Sequence, residues 1–310
     1  MPLSAAPPAA PVPAAPPAAS SPSALDLRCP LLPQTLAEAA QMLAESDHIE
    51  ADAVVAMVER DPMLLAQLLK SVNSAYYGLS RTIASPARAV MLLGPVTVVG
   101  LIAGMSMTRL REAATPAAAA ASDLVVRHSL ASAYLAQRLV ETIDPDRRPA
   151  QSGEAYTAGL LHDLGKLVLL HNFPDEAAAL YGGTGPEAPE PEEALFGCTH
   201  AEAGAVAAER SNFPEALVRV IRLHRDPAAL AGEGVDPAVG LLLRATAAAS
   251  YGATALGYPA GPADDDDATW SEIARRDLPE AGGPEGLDAF FQAEAPPLAQ
   301  YLDALLAPVL

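Results

Sequence analysis

The run Gly159-Leu160-Leu161-His162-Asp163-Leu164-Gly165-Lys166 constrains this chain more than any other stretch. It sets an imidazole and a carboxylate side by side within an otherwise apolar helical segment, so both groups are carried toward an interior. An ionised carboxylate is expensive to bury alone; a metal, another side chain or local solvent must compensate it. Any fold adopted here must therefore deliver a partner to Asp163, and that partner separates an enzyme from a descendant of one. Lys166 follows His162 by four residues, on the same helix face. Its cation could neutralise Asp163 in a plain ion pair or hold a phosphate.

The remaining pattern is helical. Asp61-Pro62, Ser85-Pro86, Asp144-Pro145, Asp226-Pro227 and Asp236-Pro237 each set a capping side chain before a proline suited to the first helical position. Leu64, Leu65, Leu68, Leu69 and Val72 form one apolar stripe, and Leu124, Val125, Leu130, Tyr134, Leu135 and Leu139 fit another helix. No sustained Val/Ile/Thr alternation appears, so few or no strands are expected. Apolar residues make up 51% of the chain but aromatics only 5%, so the interior must be Leu, Val and Ala, which suits close-packed helices. The spacing predicts an all-α protein of about a dozen helices. Val90 to Met107 runs 18 residues without a charge, the length of a membrane span, but Gly94-Pro95 interrupts it. Two buried helices around a tight turn are expected there, and no membrane span.

A net charge of −19 argues against a nucleic-acid surface and against anionic membranes. Cys29 and Cys198, far apart in sequence, make neither a disulfide framework nor a zinc motif, and the default reading is a reducing cytoplasm. Residues 1–24 are almost all Ala, Pro and Ser; lacking a basic n-region, they read as a disordered tail rather than a signal peptide. Residues 112–121 read as a linker or helix extension between two helical lobes. Residues 182–193 read as a solvated Gly/Pro/Glu-rich loop, and 259–267 as a solvated acidic loop whose aspartates lack the ligand spacing of an EF-hand.

Four of the six histidines, His128, His162, His200 and His224, fall on what read as successive helices. Thr199-His200-Ala201-Glu202 fits a capping box, which puts His200 in a first helical turn, where the dipole favours the neutral, metal-binding ring. His48 and His171 read as ordinary hydrogen-bonded residues, and Arg127, Arg225 and Glu202 as solvated neighbours. Asn73-Ser74-Ala75-Tyr76-Tyr77-Gly78 reads as a packed helix end with Gly78 as the stop, or as the lining of a groove between lobes.

Taken together, DPMLLAQLLKSVNSAYYG (61–78), IASPARAVMLLGPVTVVGL (83–101), RHS (127–129), AYTAGLLHDLGKLVLL (155–170) and FGCTHAEAGAVAAERSNFPEALVRVIRLH (196–224) resemble the HDOD family, a non-canonical branch of the HD-domain phosphohydrolase superfamily. The resemblance implies an HDOD domain over 25–255. Its N-terminal helical lobe would span about 25–112 and its HD-like lobe about 122–255, followed by an acidic loop and C-terminal helices over 256–310. It implies a metal set of His128, His162, Asp163, His200 and His224, with Lys166 as a phosphate contact only in an active hydrolase. Iron, manganese, zinc and magnesium are not distinguished, and a metal-free site is left open.

The departure is the closing Asp, expected after His224 in an Arg-Ala-Asp context. The chain reads Arg244-Ala245-Thr246, with no acidic residue between Asp236 and Asp264. A neutral hydroxyl supplies no anionic charge and coordinates weakly. The resemblance thus implies a cytoplasmic, bacterial-type signal-transduction or scaffold module with a degenerate metal site. It would act with a protein partner in trans or a small-molecule ligand, in an oligomeric state the sequence leaves open. The alternative is a metal-dependent phosphohydrolase acting on a nucleotide or cyclic dinucleotide.

Overall fold

A computed structural model describes Leu27 and residues 33–45, 49–111, 115–144, 146, 148–182, 192–226, 229, 234–261 and 283–306. Among them there is no strand. The helices, in chain order, are α1 Gln34–Glu45, α2 Ala51–Glu59, α3 Pro62–Val72, α4 Pro86–Leu93, α5 Pro95–Thr108, α6 Pro116–Glu141, α7 Ser152–Leu161, α8 Leu164–Asn172, α9 Pro174–Tyr181, α10 Glu192–Phe196, α11 His200–Arg210, α12 Glu215–Leu223, α13 Pro237–Ala255 and α14 Gly283–Leu306. The tail over 1–24 and the aspartate run after Ala263 lie outside the described residues, as do Cys29 and His48.

The capping signals act as read at three positions. Asp61 accepts from the Met63 and Leu64 N–H groups at 3.0 Å, Ser85 from Arg88 at 3.3 Å and Asp236 from Val239 at 3.0 Å. Each thereby satisfies donors left over at a helix start. Asp144-Pro145 behaves differently: Asp144 accepts from the Asp146 N–H at 3.1 Å in a turn, and α7 begins only at Ser152. Pro227 lies outside the described residues. The stretch 112–121 resolves as a helix extension from Pro116 onward, since Thr115 caps α6 by accepting from Ala118 at 3.2 Å. Gly94, at φ +81°, breaks the uncharged run, and α4 and α5 diverge there by 120°. Val98 to Thr108 are all buried, and no single helix among the described residues is long and apolar enough to cross a membrane.

The 26-residue α6 is the axis of the fold: α7, α9, α13 and α14 all pack on it. The glycines flanking the His-Asp pair set two close crossings. A Cβ on Gly159 would lie 2.7 Å from the Ser132 carbonyl oxygen of α6, and one on Gly165 would lie 1.7 Å from the His200 carbonyl oxygen of α11. Any larger side chain at either position would push helices apart. These two contacts hold α6, α7, α8 and α11 around one point.

Candidate metal centre

The run read as one helical segment is in fact two. α7 stops at Leu161, His162 is its C-cap, and Asp163 (φ −96°, ψ 14°) stands in the break before α8. The break turns both side chains inward. His200 opens α11 through the expected capping box, with Thr199 accepting from Glu202 at 3.2 Å and Glu202 accepting from the Thr199 N–H at 2.9 Å. His224 is the C-cap of α12, and only His128 of the four sits in a helix interior.

All four rings are oriented the same way. The Nδ1 of His162 pairs with the Gly159 carbonyl at 2.8 Å, that of His224 with Ile221 at 2.7 Å, and that of His128 with Tyr258 at 2.7 Å. A carbonyl can only accept, so Nδ1 carries the proton in each. At His162 and His224 this bond satisfies a carbonyl three residues back, one that a helix end leaves without a partner. The Nδ1 of His200 donates to the Glu192 carboxylate at 2.8 Å. In a neutral ring so arranged Nε2 carries the lone pair, and all four Nε2 atoms turn toward Asp163.

The carboxylate divides them into two pairs. Its Oδ2 lies 3.8 Å from His128 Nε2 and 3.5 Å from His162 Nε2, and its Oδ1 lies 3.4 Å from His200 Nε2 and 3.8 Å from His224 Nε2. His128, His162 and Asp163 form one group with metal-ligand spacing, and Asp163, His200 and His224 form the other, with Asp163 common to both. All five residues are buried, at 2–6% exposure. The Nε2 atoms of His200 and His224 approach to 3.2 Å. Two lone pairs at that distance repel unless a proton or cation stands between them.

Burial pushes the His128 ring down to about 4, and it lowers His162 and His224 too, so these rings are neutral near pH 7. Burial also works against the Asp163 carboxylate, but positive charge around it, from any proton on the imidazoles and from the Lys166 ammonium, outweighs burial and holds its carboxyl well below the usual range. Lys166 Nζ lies 2.9 Å from Oδ2, at ion-pair range but off the angle of a hydrogen bond, and 3.3 Å from the Ala260 carbonyl. The Oδ1 side faces no cation among the described residues. His162 Nε2, Asp163 Oδ2 and Thr246 Oγ1 are all buried without a hydrogen-bond partner. This electron-rich set of nitrogen and carboxylate donors fits a divalent ion. The Ser250 hydroxyl donates to His128 Nε2 at 3.0 Å, a bond that an ion on this nitrogen would displace. Thr246 lies one turn before Ser250 on α13 and is 1% exposed.

Glu192 is the residue the sequence reading missed. The segment 182–193 was expected to be solvated. Residues 183–191 lie outside the described residues, but Glu192 begins α10 and stands half-buried behind His200. Besides His200 Nδ1, it accepts from the His200 backbone N–H at 2.7 Å and from the Tyr181 hydroxyl at 2.6 Å. Burial opposes its ionisation, but these partners outweigh it and bring the carboxyl down to about 2. A carboxylate behind a ligating imidazole fixes its tautomer and raises its basicity. The other neighbours are peripheral: His171 is exposed, and Arg127 pairs with Asp123 at 2.6 Å.

A family model described as the HDOD domain matches residues 29–227. A crystal structure of an HDOD domain protein of unknown function from Geobacter sulfurreducens superposes with a TM-score of 0.68 at 22% identity, covering 91% of this chain and 94% of that one. A protein from Shewanella amazonensis SB2B, provisionally named a phosphohydrolase, superposes with a TM-score of 0.62 at 22% identity, covering 89% of this chain and 94% of that one. An uncharacterized protein of Treponema pallidum (strain Nichols) is 27% identical over 200 residues, 64% of this chain but only 37% of that protein's length.

Proposed function

Because the chain belongs to the HDOD domain family, we propose that it is a signal-transduction module built around a divalent-ion centre with little or no hydrolase activity. One observation carries this reading. A single carboxylate faces four imidazole Nε2 atoms, while the position expected to add a second anion holds Thr246, buried and without a hydrogen-bond partner. Glu192 does not make good the loss, because it is committed to the opposite edge of His200. His128 and His162 would hold an ion at Oδ2 of Asp163, and His200 and His224 one at Oδ1. A bound divalent ion supplies Lewis acidity. This chain's residues offset its charge with one anion, partly engaged by Lys166, which suits structural or sensory retention better than activation of a nucleophile. The HDOD unit is assigned to 25–255, with lobes at about 25–112 and 122–255, and acts on a protein partner in trans or a small ligand.

A second reading, hydrolysis of a nucleotide or cyclic dinucleotide, is favoured by Lys166. Its ammonium borders Asp163 and keeps 13% side-chain exposure, so it could meet a phosphate. Metal analysis of the purified protein beside the His162→Ala/Asp163→Ala variant tests the centre, with metal expected in the wild type alone. Assays with a phosphate diester and a cyclic dinucleotide, with Mn²⁺ or Fe²⁺ added, should show no turnover. Turnover abolished by Asp163→Ala would reverse the preference. Thr246→Asp should raise metal affinity.

A further inference from the structure

Farther along α6 and α7 from the metal centre lies a cavity of about 410 Å³, within the roughly 300–1,000 Å³ usual for small-molecule sites. The stretch 73–78 leads into it. Gly78 is not the helix stop: α3 ends at Val72, Asn73 binds the Leu69 carbonyl at 2.7 Å, and both ends of its amide hold Ile83, at 2.7 and 2.8 Å. This clamp fixes the loop that presents Tyr76 and Tyr77 to the cavity. Tyr134 from α6, Tyr156 from α7 and Tyr301 from α14 complete a wall of five phenols.

We infer that this cavity is a binding site for a small organic cation, an ammonium carried on an apolar or aromatic body. The rings are set around one another as in a cage. Tyr76 stands edge-on to Tyr77 with centroids 4.7 Å apart and to Tyr301 at 5.8 Å, and Tyr134 lies 5.1 Å from Tyr301. Aromatic faces attract cations, most strongly where water is partly excluded. The charge of the wall has the matching sign. Its charged lining residues are Arg138, Glu141 and Glu294. Arg138 is already held by Glu141 at 2.6 Å and Glu294 at 3.2 Å, leaving one carboxylate in excess. An anion would have to break those pairs, whereas an ammonium joins the excess carboxylate. The cage is also preorganised. Tyr156 and Tyr301 share a hydrogen bond at 2.7 Å, Tyr134 donates to Glu294 at 2.7 Å, and a Cβ on Gly104 would lie 2.8 Å from the Tyr156 oxygen. Among the described residues the Tyr77 hydroxyl and the Gln137 amide make no hydrogen bond, and both line the cavity, available to a ligand.

Three probes of one shape and different charge test this on the full-length protein: phenethylammonium, 2-phenylethanol and 3-phenylpropionate, titrated by calorimetry. Saturable binding is expected for the cation alone, weakened about tenfold or more in both Glu294→Gln and Tyr76→Leu, with metal content unchanged in each. Tyr76 lies in a half-exposed loop, so its replacement leaves the helical core intact and guards against misfolding of the first variant. The inference is overturned by absence of saturable cation binding, by equal or tighter binding of the neutral or anionic probe, or by cation affinity that neither substitution changes. Because metal content is read separately, such a failure leaves the reading of the metal centre standing.

Discussion

Six residues along α6 separate His128 from Tyr134, and six separate Tyr156 on α7 from its C-cap His162, so the same two helices carry a histidine cluster at one level and a tyrosine cluster about 9 Å away. Most of the tyrosine cluster is satisfied from within, Tyr156 by Tyr301 and Tyr134 by Glu294, with the Tyr77 hydroxyl left over at the cavity. The histidine cluster is satisfied only around its rim. Every Nδ1 has an acceptor, yet the centre gathers lone pairs and a carboxylate with one ammonium at its edge. Buried polarity that closes on itself stabilises a fold, whereas buried polarity that is left open at its middle calls for something from outside. The contrast locates the demand for an ion on this chain without reference to any reaction.

The contrast breaks most severely at Asp163. Asp163→Asn should reduce divalent-metal content to background, by elemental analysis. It should also cost roughly 3–5 kcal/mol in urea unfolding, because Lys166 loses its buried counter-charge. Retention of metal would show that the two triads are not the binding site.

Acidity is expected to attack the two clusters unequally. His128 sits at about 4 in the folded protein against 6.5 when free, so the folded state binds fewer protons between those values. The stability it contributes is therefore complete above pH 6.5 and is lost as pH falls toward 4, by roughly 3 kcal/mol for this ring alone. Urea titrations of chelator-treated protein at both ends of that window should show the loss, and His128→Gln should flatten it. A slope unchanged by the substitution would mean that the ring is not buried neutral.

Much of this architecture is legible from local chemistry. The caps at Asp61, Ser85, Asp236 and Thr199 depend on residues within one turn, and so does the box that places His200. The five candidate ligands came through resemblance, and the chain does bring them together. Glu192 was illegible because one partner, His200, lies eight residues on, and the other, Tyr181, lies eleven residues back across a Gly/Pro-rich stretch that carries no periodicity. The start of α6 could have been found, since Thr115-Pro116 is a signal of the same kind as Ser85-Pro86. The tyrosine cluster is assembled from a loop and three helices remote in sequence, and no short window encodes such a meeting.

Glu192 offers a finer probe of the open cluster. Glu192→Gln keeps the shape but weakens the hold on His200 Nδ1, so metal affinity should fall by roughly 10–100-fold while the metal-free fold is retained. Competition against a chelating dye measures this, and unchanged affinity would mean that His200 is no ligand. The smallest effect belongs to the closed cluster. Tyr156→Phe leaves the Tyr301 hydroxyl without its bond and should cost about 1–2 kcal/mol in unfolding, with metal content untouched.

The contact between Gly165 and the His200 carbonyl has a further consequence. Two main chains meet there, so the frame around Asp163 is gauged by peptide against peptide rather than by the groups that would grip an ion. A lineage could exchange individual donors, as carboxylate for hydroxyl at 246, and keep the outline of the chamber undistorted. Chemistry can then be shed, or regained, by single replacements on a chassis that does not register the difference.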